Sequence, residues 1–264
     1  MPTYAILGVT GSTGSSLLRY LHERPVKVNI NLYARSAPKV ESLHPYVKTA
    51  ENIQSFVGDL SSADVLKNCL RNTDVIFSTV AQNSNEPGCS IAQRTAHSIV
   101  CALEALRKDE GPTFKCPILV FLTSASLNPT FSESTPRLLH WVLERGCYYI
   151  YEDLRKSIKY LKEQSWIPLI TAEPPALIKD IPRGYELSQE EVMPGISYDD
   201  LARGMVQMAE EDGGHKWVGK GVGIKATGKV KMDYLPLIWY LVTGLVAYFS
   251  PAAWKLLQRA GLNP

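Results

Sequence analysis

A chain of 264 residues can form one large α/β domain or two small ones, and either would have enough residues for a buried core. A hydrophobic content of 45% and a charged content of 20% are ordinary for a soluble enzyme. The formal net charge of +2 argues against a nucleic-acid-binding protein, which needs a strongly basic surface.

The five cysteines are scattered, odd in number and without a C-x-x-C pair, which favours a reducing compartment over a disulfide framework. Neither they nor the five histidines have the spacing of zinc ligands, so we expect no metal site. The first residues enter a strand pattern without a basic and apolar leader. We therefore expect a cytoplasmic protein.

Strand and helix patterns alternate from the first residues. The predicted strands cover Thr3–Leu7, 26–33, 54–57, 75–80, Ile118–Leu122 and 168–171. The predicted helices cover 15–21, 61–69, 91–106, 151–164 and 197–211, the last with Ser197 as its N-cap. The second strand alternates apolar and polar residues and is predicted to be half-buried, whereas ILVFL at Ile118–Leu122 is typical of the centre of a parallel sheet.

This alternation predicts an α/β fold with a doubly wound parallel Rossmann sheet. We expect a single NAD(P)-binding domain over residues 1–264, with a small C-terminal substrate-side elaboration over 178–264. That elaboration would contribute a substrate loop at 178–196, one helix and the apolar C-terminal helices. Arg183 and Tyr185 in the loop are candidates to contact a phenolic ligand, unless the loop is only a surface excursion.

Three glycines separate the first strand from the first helix. Gly8, Gly11 and Gly14 have the spacing G-x-x-G-x-x-G, which permits a tight turn and a close approach of the backbone to a pyrophosphate at the helix N-terminus. The hydroxyl residues that would add donors around the phosphates are Thr10, Ser12 and Thr13. The alternative is a turn with a purely structural role, but its place between the first strand and helix favours a dinucleotide.

The end of the second strand indicates which dinucleotide. It reads LYARS, which puts Arg35 and Ser36 where a site for NAD has an acidic residue. An arginine suits the 2′-phosphate of NADP(H) through charge-assisted hydrogen bonds. The sequence therefore predicts NADP(H), with a solvated surface arginine as the alternative.

Two further strand ends are expected to contact this cofactor. Asp59 and Leu60, in VGDL, follow the third strand at a usual position for adenine contacts. Val80, Ala81 and Gln82, in VAQN, follow the fourth strand and would pass along the nicotinamide half.

The pattern resembles the atypical short-chain dehydrogenase/reductase superfamily over residues 3–177. Several phrases resemble one group within it, the averufin oxidase A-like oxidoreductases of fungal polyketide pathways: TYAILGVTGSTGS, VAQNSNEPG, SASLNP, YEDLR, EPPALIKD, RGYEL and ISYDDLARGM. The resemblance implies a cytosolic enzyme of secondary metabolism that acts on an aromatic polyketide, such as an anthraquinone or xanthone precursor. It leaves the reaction open, because members of the group are assigned to differing redox steps.

The resemblance also implies a catalytic Ser and a Tyr-x-x-x-Lys pair, in which Tyr exchanges a proton with the substrate oxygen. Ser124, in TSAS, is the serine candidate, although a hydroxyl at a strand end can equally cap a turn. No tyrosine has a lysine four residues on, and the nearest match is Tyr151-x-x-x-Arg155. Arg155 would supply a positive charge with a different geometry, or Lys156 would replace it; a structural pair on a half-exposed helix is the alternative. The segment with Pro174, Ala176 and Leu177 would line the nicotinamide.

Residues 234–249 read YLPLIWYLVTGLVAYF and are almost entirely apolar. The segment is shorter than the roughly 20 residues of a membrane-spanning helix. It could lie in a membrane interface or be buried, and we favour burial, in a homodimer or as a lid over an apolar pocket.

Three functions remain open at this point. The first is an NADP(H)-dependent oxidoreductase that acts on an aromatic polyketide. The second is a cyclase, isomerase or dehydratase without net redox chemistry, and the third is a regulatory protein that senses NADP(H).

Overall fold

A computed structural model describes residues 1–133 and 135–261. Its strands are β1 (Thr3–Leu7), β2 (Asn29–Ala34), β3 (Ile53–Val57), β4 (Val75–Ser78), β5 (Ile118–Leu122), β6 (Leu169–Glu173), β7 (Ala176–Ile178), β8 (Tyr185–Ser188), β9 (Gly195–Ser197) and β10 (Gly221–Ala226). Eight of them form one sheet in the order β3-β2-β1-β4-β5-β6-β10-β8, and β7 pairs with β9. All neighbours in the large sheet are parallel except β10 and β8. This arrangement confirms the predicted Rossmann-like α/β fold.

Helices cover both faces of the sheet. They are α1 (Ser12–Glu23), α2 (Ala37–Leu43), α3 (Ala63–Leu70), α4 (Ile91–Glu110), α5 (Pro129–Ser132), α6 (Arg137–Gly146), α7 (Tyr148–Glu163), α8 (Tyr198–Glu210), α9 (Tyr234–Phe249) and α10 (Pro251–Arg259). Alternate residues of a strand point to opposite faces. Ile6 accordingly joins the core under α1 and α8, and Leu7 joins the core under α3, α4 and α7.

The prediction of a half-buried second strand was wrong. Every residue of β2 after Asn29 is buried. Asn31 supplies the polar position in the pattern, and its side-chain amide donates a 2.7 Å hydrogen bond to the carbonyl oxygen of Cys69. A buried amide with a partner is compatible with a core strand.

Residues 178–196 are more regular than the predicted loop, because they include β8 and parts of β7 and β9. The strand β10 and the helix α6 had no counterpart in the prediction. Ser197 does cap α8, and its hydroxyl accepts a 3.0 Å hydrogen bond from the amide of Asp200.

Candidate functional site

The carboxyl ends of the parallel strands bring the predicted site residues to one edge of the sheet. Gly8 follows β1, Arg35 follows β2, Ser124 follows β5 and Pro174 follows β6. A crevice at this edge is where open α/β sheets bind their ligands.

The glycine turn requires glycine at two positions. Gly8 has a φ of +95°, and a Cβ there would lie 2.8 Å from Oγ1 of Thr79. A Cβ on Gly14 would lie 2.8 Å from Cα of Val9 and would clash with the carbonyl oxygen of Gly8. The first turn of α1 therefore packs directly on the end of β1.

The N-terminus of α1 is open to a ligand. Its N-cap is Gly11, so no side chain caps the helix, and Gly11 and Ser12 are exposed while Thr13 is buried. The turn borders a cleft of about 670 Å³, which Thr10, Gly11 and Ser12 line together with Arg19 and residues 178–182. Amide groups at a helix N-terminus beside such a cleft fit the pyrophosphate of a dinucleotide. The residues present thus fit the predicted cofactor.

A side-chain network not foreseen in the sequence supports this turn from below. Ser15 donates a 3.0 Å hydrogen bond to the carbonyl oxygen of Val9, and its hydroxyl lies 3.0 Å from Nε2 of His44. The hydroxyl of Tyr46 lies 3.3 Å from Nδ1 of the same ring. Burial lowers the pKa of His44, which favours a neutral ring with one donor and one acceptor nitrogen.

The predicted adenine end is built around one exposed arginine. Arg35 is exposed and forms no ion pair with any residue in the described ranges 1–133 and 135–261. Ser36 caps α2 by accepting a 3.4 Å hydrogen bond from the amide of Lys39. Two hydrogen bonds from Ser61, at 2.8 Å from the amide and 2.5 Å from the hydroxyl, lower the pKa of Asp59.

The same region connects to the sheet and to α4 through backbone oxygens. The hydroxyl of Tyr33 donates a 2.5 Å hydrogen bond to the carbonyl oxygen of Asp59. Ser98 donates a 3.0 Å hydrogen bond to that of Leu60. The turn after β3 is therefore held at two points, which leaves the Asp59 side chain exposed at the site edge.

The segment after β4 leads from the cofactor edge to the C-terminal helices. Val80 and Gln82 are half-buried and Ala81 is exposed. A few residues on, the buried side chain of Asn85 donates a 3.0 Å hydrogen bond to the carbonyl oxygen of Gly244 and accepts one of 2.8 Å from the amide of Tyr149. One amide side chain thus joins this segment to α7 and α9.

Ser124 and Tyr151 lie together. Tyr151, on α7, is 7% exposed, and its pKa is raised by burial and by the neighbouring Cys147. The neighbouring side chains of Ser126 and Ser124 act in the opposite direction on the same pKa. Burial has the larger effect, so the phenol of Tyr151 stays protonated in the neutral range.

Arg155 is engaged elsewhere. Its guanidinium donates hydrogen bonds of 2.6 and 2.8 Å to the two carboxylate oxygens of Glu144 on α6, and one of 3.0 Å to Glu152. Lys156 is exposed on the same helix and has no ion pair among the described residues. The predicted Tyr-Arg pair thus has its two members in different local environments.

Helix α9 covers the other side of Tyr151. Tyr240 on α9 is half-buried, and its pKa is raised by burial and by the adjacent Cys147 and Tyr151. The backbones of α6 and α9 approach so closely that a Cβ on Gly244 would clash with the carbonyl oxygen of Gly146. This contact explains the predicted burial of the apolar segment on one of its faces.

The segment after β6 borders both the serine and the cleft. The carbonyl oxygen of Pro174 accepts a 2.9 Å hydrogen bond from the amide of Ala125, beside Ser124. Ala176 and Leu177 are half-buried in β7, and the residues that follow them line the cleft next to the glycine turn.

The two loop candidates have structural contacts. The backbone amide of Arg183 donates a 2.7 Å hydrogen bond to the buried carboxylate of Asp200, and its guanidinium pairs with Asp180 at 3.3 Å. Tyr185 packs against the core beside Gly204 of α8. These contacts fix the position of both residues and do not test their predicted role with a phenolic ligand.

Comparisons with known proteins agree with this geometry. Residues 8–212 match the NAD(P)H-binding family. The chain is 34% identical to the oxidoreductase stcQ of Emericella nidulans, over 100% of this chain and 97% of that protein. It is also 34% identical to averufin oxidase A of Aspergillus flavus, over 92% and 89% of the two chains.

A solved structure shows the same fold at lower identity. The short-chain dehydrogenase/reductase of Veillonella parvula, crystallised with NADP, has a TM-score of 0.68 at 18% identity, over 86% of this chain and 95% of that chain. The family match confirms the dinucleotide predicted from the glycine motif. The chain belongs to the NAD(P)H-binding family of Rossmann-fold oxidoreductases, together with these fungal enzymes.

Proposed function

We propose that this oxidoreductase uses NADP(H) and acts on an aromatic polyketide of the anthraquinone or xanthone type. The observation that carries the proposal is that the buried Tyr151 has the side chains of Ser126 and Ser124 as neighbours, and that Ser124 follows β5 at the same edge of the sheet as the glycine turn. The similarity to averufin oxidase A supports the substrate class.

Arg35 supports NADP(H) over NAD(H). The residues that follow β2, from 35 to 40, include no carboxylate that would bind the two ribose hydroxyls of NAD. The exposed guanidinium of Arg35 is free of intramolecular ion pairs among the described residues and can therefore bind a 2′-phosphate. Residues of the glycine turn would hold the pyrophosphate at the N-terminus of α1.

The nicotinamide ring supplies or accepts a hydride when it is bound. Tyr151 holds a proton on its phenol oxygen, because burial disfavours the phenolate. It therefore donates a hydrogen bond, and then a proton, to a substrate carbonyl oxygen, and Ser124 orients that oxygen.

The environment of Tyr151 suits an apolar aromatic substrate. Tyr240 and Leu237 of α9 pack beside the core that contains Tyr151, and Leu127 contributes from the segment after β5. An apolar and aromatic wall with a few hydroxyl groups matches a polycyclic phenolic compound.

One observation supports the alternative of a cyclase, isomerase or dehydratase. Both carboxylate oxygens of Glu144 hold Arg155, so Arg155 is not available to take the place of the lysine that lowers the tyrosine pKa in related enzymes. Such an enzyme would still bind the cofactor but would turn over substrate without changing its redox state.

Titration calorimetry with NADPH, NADP and NADH tests the cofactor assignment. We expect Arg35→Ala to weaken NADPH binding by about tenfold to a hundredfold, from the loss of a hydrogen bond between charged groups, and to leave NADH binding unchanged. Lys115→Ala is the matched control, because Lys115 is exposed and precedes β5 at the opposite edge of the sheet. Equal binding by both variants would contradict the role of Arg35.

Absorbance of the nicotinamide during incubation with hydroxyanthraquinones tests the reaction. Consumption of NADPH in step with product formation supports the oxidoreductase. Product formation at constant absorbance would instead establish the non-redox alternative.

A further inference from the structure

Helix α9 has two apolar faces, and only one of them is covered. Its buried residues include Leu241, Gly244 and Ala247, which face α6 and the core. Five of its exposed large side chains, Leu235, Ile238, Trp239, Val242 and Phe249, fall within an arc of about 100° when successive residues are rotated by about 100°, and the exposed Tyr234 at the first position of the helix widens the arc to about 140°. A surface helix of a soluble domain has polar residues on that face.

The exposed face continues onto α6. Trp141 of α6 is 41% exposed, and its ring centroid lies 6.3 Å from that of Phe249. We call the surface formed by Trp141, Leu235, Ile238, Trp239, Val242 and Phe249 the apolar patch. A contiguous patch of this kind marks an interaction site, whereas single exposed apolar residues do not.

The charges around the apolar patch are almost all positive. Lys229 and Lys231 precede α9, and Lys255 and Arg259 lie on α10; all four are exposed and none forms an ion pair within residues 1–133 and 135–261. The single acidic residue between 229 and 261 is Asp233, whose carboxylate caps α9 through a 3.2 Å hydrogen bond from the amide of Leu235.

Aromatic and basic side chains also combine on α6. The guanidinium of Arg145 lies 4.4 Å from the ring centroid of Trp141 and 5.9 Å from that of Tyr248. Tryptophan, tyrosine and arginine at the border of an apolar surface are typical of a protein at the level of lipid headgroups.

We propose that the apolar patch docks this protein on an anionic membrane surface, with α9 lying in the plane of the interface. At about 1.5 Å per residue, the 16 residues of α9 extend about 24 Å. Within the described residues, no helix combines the length and the apolarity needed to cross a bilayer. Apolar burial and attraction between the basic flanks and anionic lipids then act together.

Charge complementarity favours the membrane over a second copy of the chain. A twofold interface through the apolar patch would place the same basic flanks near each other. Between residues 229 and 261, Asp233 is the single acid that could neutralise them, and the carboxylate of Asp180, which accepts a hydrogen bond from the amide of Lys231, is paired with Arg183. Glu144, the acid of α6, is bound to Arg155. An anionic lipid surface supplies the negative charges that would neutralise the basic flanks.

Cosedimentation of the full chain with vesicles tests the proposal. We expect binding to mixed phosphatidylcholine and phosphatidylserine vesicles, and binding at least about tenfold weaker to phosphatidylcholine alone or at high salt. The double variant Ile238→Glu/Val242→Glu should lose vesicle binding. Val26→Glu is the control, because Val26 is also exposed but lies between α1 and β2, away from the predicted cofactor contacts.

Two results would overturn the proposal. One is equal sedimentation of the double variant and the wild type. The other is a wild-type dimer in light scattering that the double variant dissociates, with no vesicle binding by either protein. Calorimetry with NADPH shows that each variant is folded, and vesicle binding does not depend on whether the proposed substrate is correct.

Discussion

Arg155 and Glu144 join α7 to α6 through a bidentate ion pair, with both carboxylate oxygens within 2.8 Å of the same guanidinium nitrogen. The pair is partly exposed, at 40% and 22% of the two side chains. The ion pair engages Arg155, the residue that the sequence places in the role of the catalytic lysine. Substitution of Arg155 therefore tests that role directly.

We expect Arg155→Leu to affect stability more than cofactor binding. Solvent screening limits the contribution of a half-exposed ion pair, so the loss in the free energy of unfolding should be about 1 kcal/mol. The Kd for NADPH should change less than about threefold, because the guanidinium faces α6. Urea unfolding and calorimetry measure the two effects. A large rise in the Kd for NADPH with unchanged stability would instead support the predicted contact between Arg155 and the ribose.

Tyr151→Phe should lower the rate of NADPH oxidation by about 10² to 10⁴, because it removes the proposed proton donor without emptying the core. Tyr160→Phe on the same helix is the control, since the Tyr160 hydroxyl lies 3.1 Å from Nδ1 of His97, at a partly exposed position. Stopped-flow absorbance with a quinone substrate gives both rates. Comparable rates for the two variants would remove Tyr151 from the mechanism.

Gly14→Ala should destabilise the protein by about 1 to 3 kcal/mol and abolish NADPH binding, because its Cβ would push the glycine turn off the end of β1. Gly11→Ala is the matched variant. Its Cβ would lie 3.4 Å from the carbonyl oxygen of Gly8, which is ordinary contact, so thermal unfolding should barely change. Similar unfolding temperatures for the two alanine variants would contradict the packing argument.

Alkylation should select one cysteine. Burial raises the pKa of Cys147 to about 11 and that of Cys69 to about 12, which keeps both as unreactive thiols. Cys101 is exposed. Iodoacetamide at neutral pH should therefore modify Cys101 first, as measured by mass spectrometry, and Cys101→Ser should lack this fast phase. Early modification of Cys147 would mean that α9 opens readily.

Stability should fall steeply in the alkaline range. Burial raises the pKa of Tyr33 to about 12, and it raises those of Tyr4, Tyr151 and Tyr240 further. Unfolded phenols lose their protons near the ordinary value of 10.0, while the folded ones keep theirs. The unfolded state is then favoured as the pH rises from about 10 to about 12, at about 1.4 kcal/mol for each unit of difference in one pKa. Urea unfolding across this pH range measures the loss of stability, and tyrosinate absorbance measures the ionisation of the tyrosines. We expect the buried tyrosines to ionise only as the protein unfolds.

The strands β1 to β6 of the central sheet could be predicted because their signals are local. Thr3–Leu7 and Ile118–Leu122 are continuous apolar runs with glycine or polar residues beside them, and both have the predicted bounds. Helix α6 was missed because Leu138 and Trp141 point outward, which obscures the amphipathic pattern. Strand β10 contains two glycines and a lysine, and its partners β6 and β8 are distant in sequence.

The residues of the candidate site also differ in whether a local sequence signal identifies them. The glycine turn carries its own spacing, so its residues could be named in advance. The contacts around Tyr151 could not be predicted in this way. Asp153, two residues further along α7, accepts hydrogen bonds of 2.9 and 3.0 Å from the amides of Ala92 and Gln93 on α4, about 60 residues away. Asn85 and Tyr240 are also defined by contacts that no local pattern encodes.

The backbone contact between Gly146 and Gly244, together with the hydrogen bonds of Asn85, makes α9 an integral part of the domain. Side chains cannot adjust the spacing of α6 and α9, because none lies between them at this point. Removal of α9 would leave the Asn85 amide and the floor of the Tyr151 region open to water. A change of substrate range through the inward side chains of α9 would therefore have to leave this backbone contact and the helix itself in place.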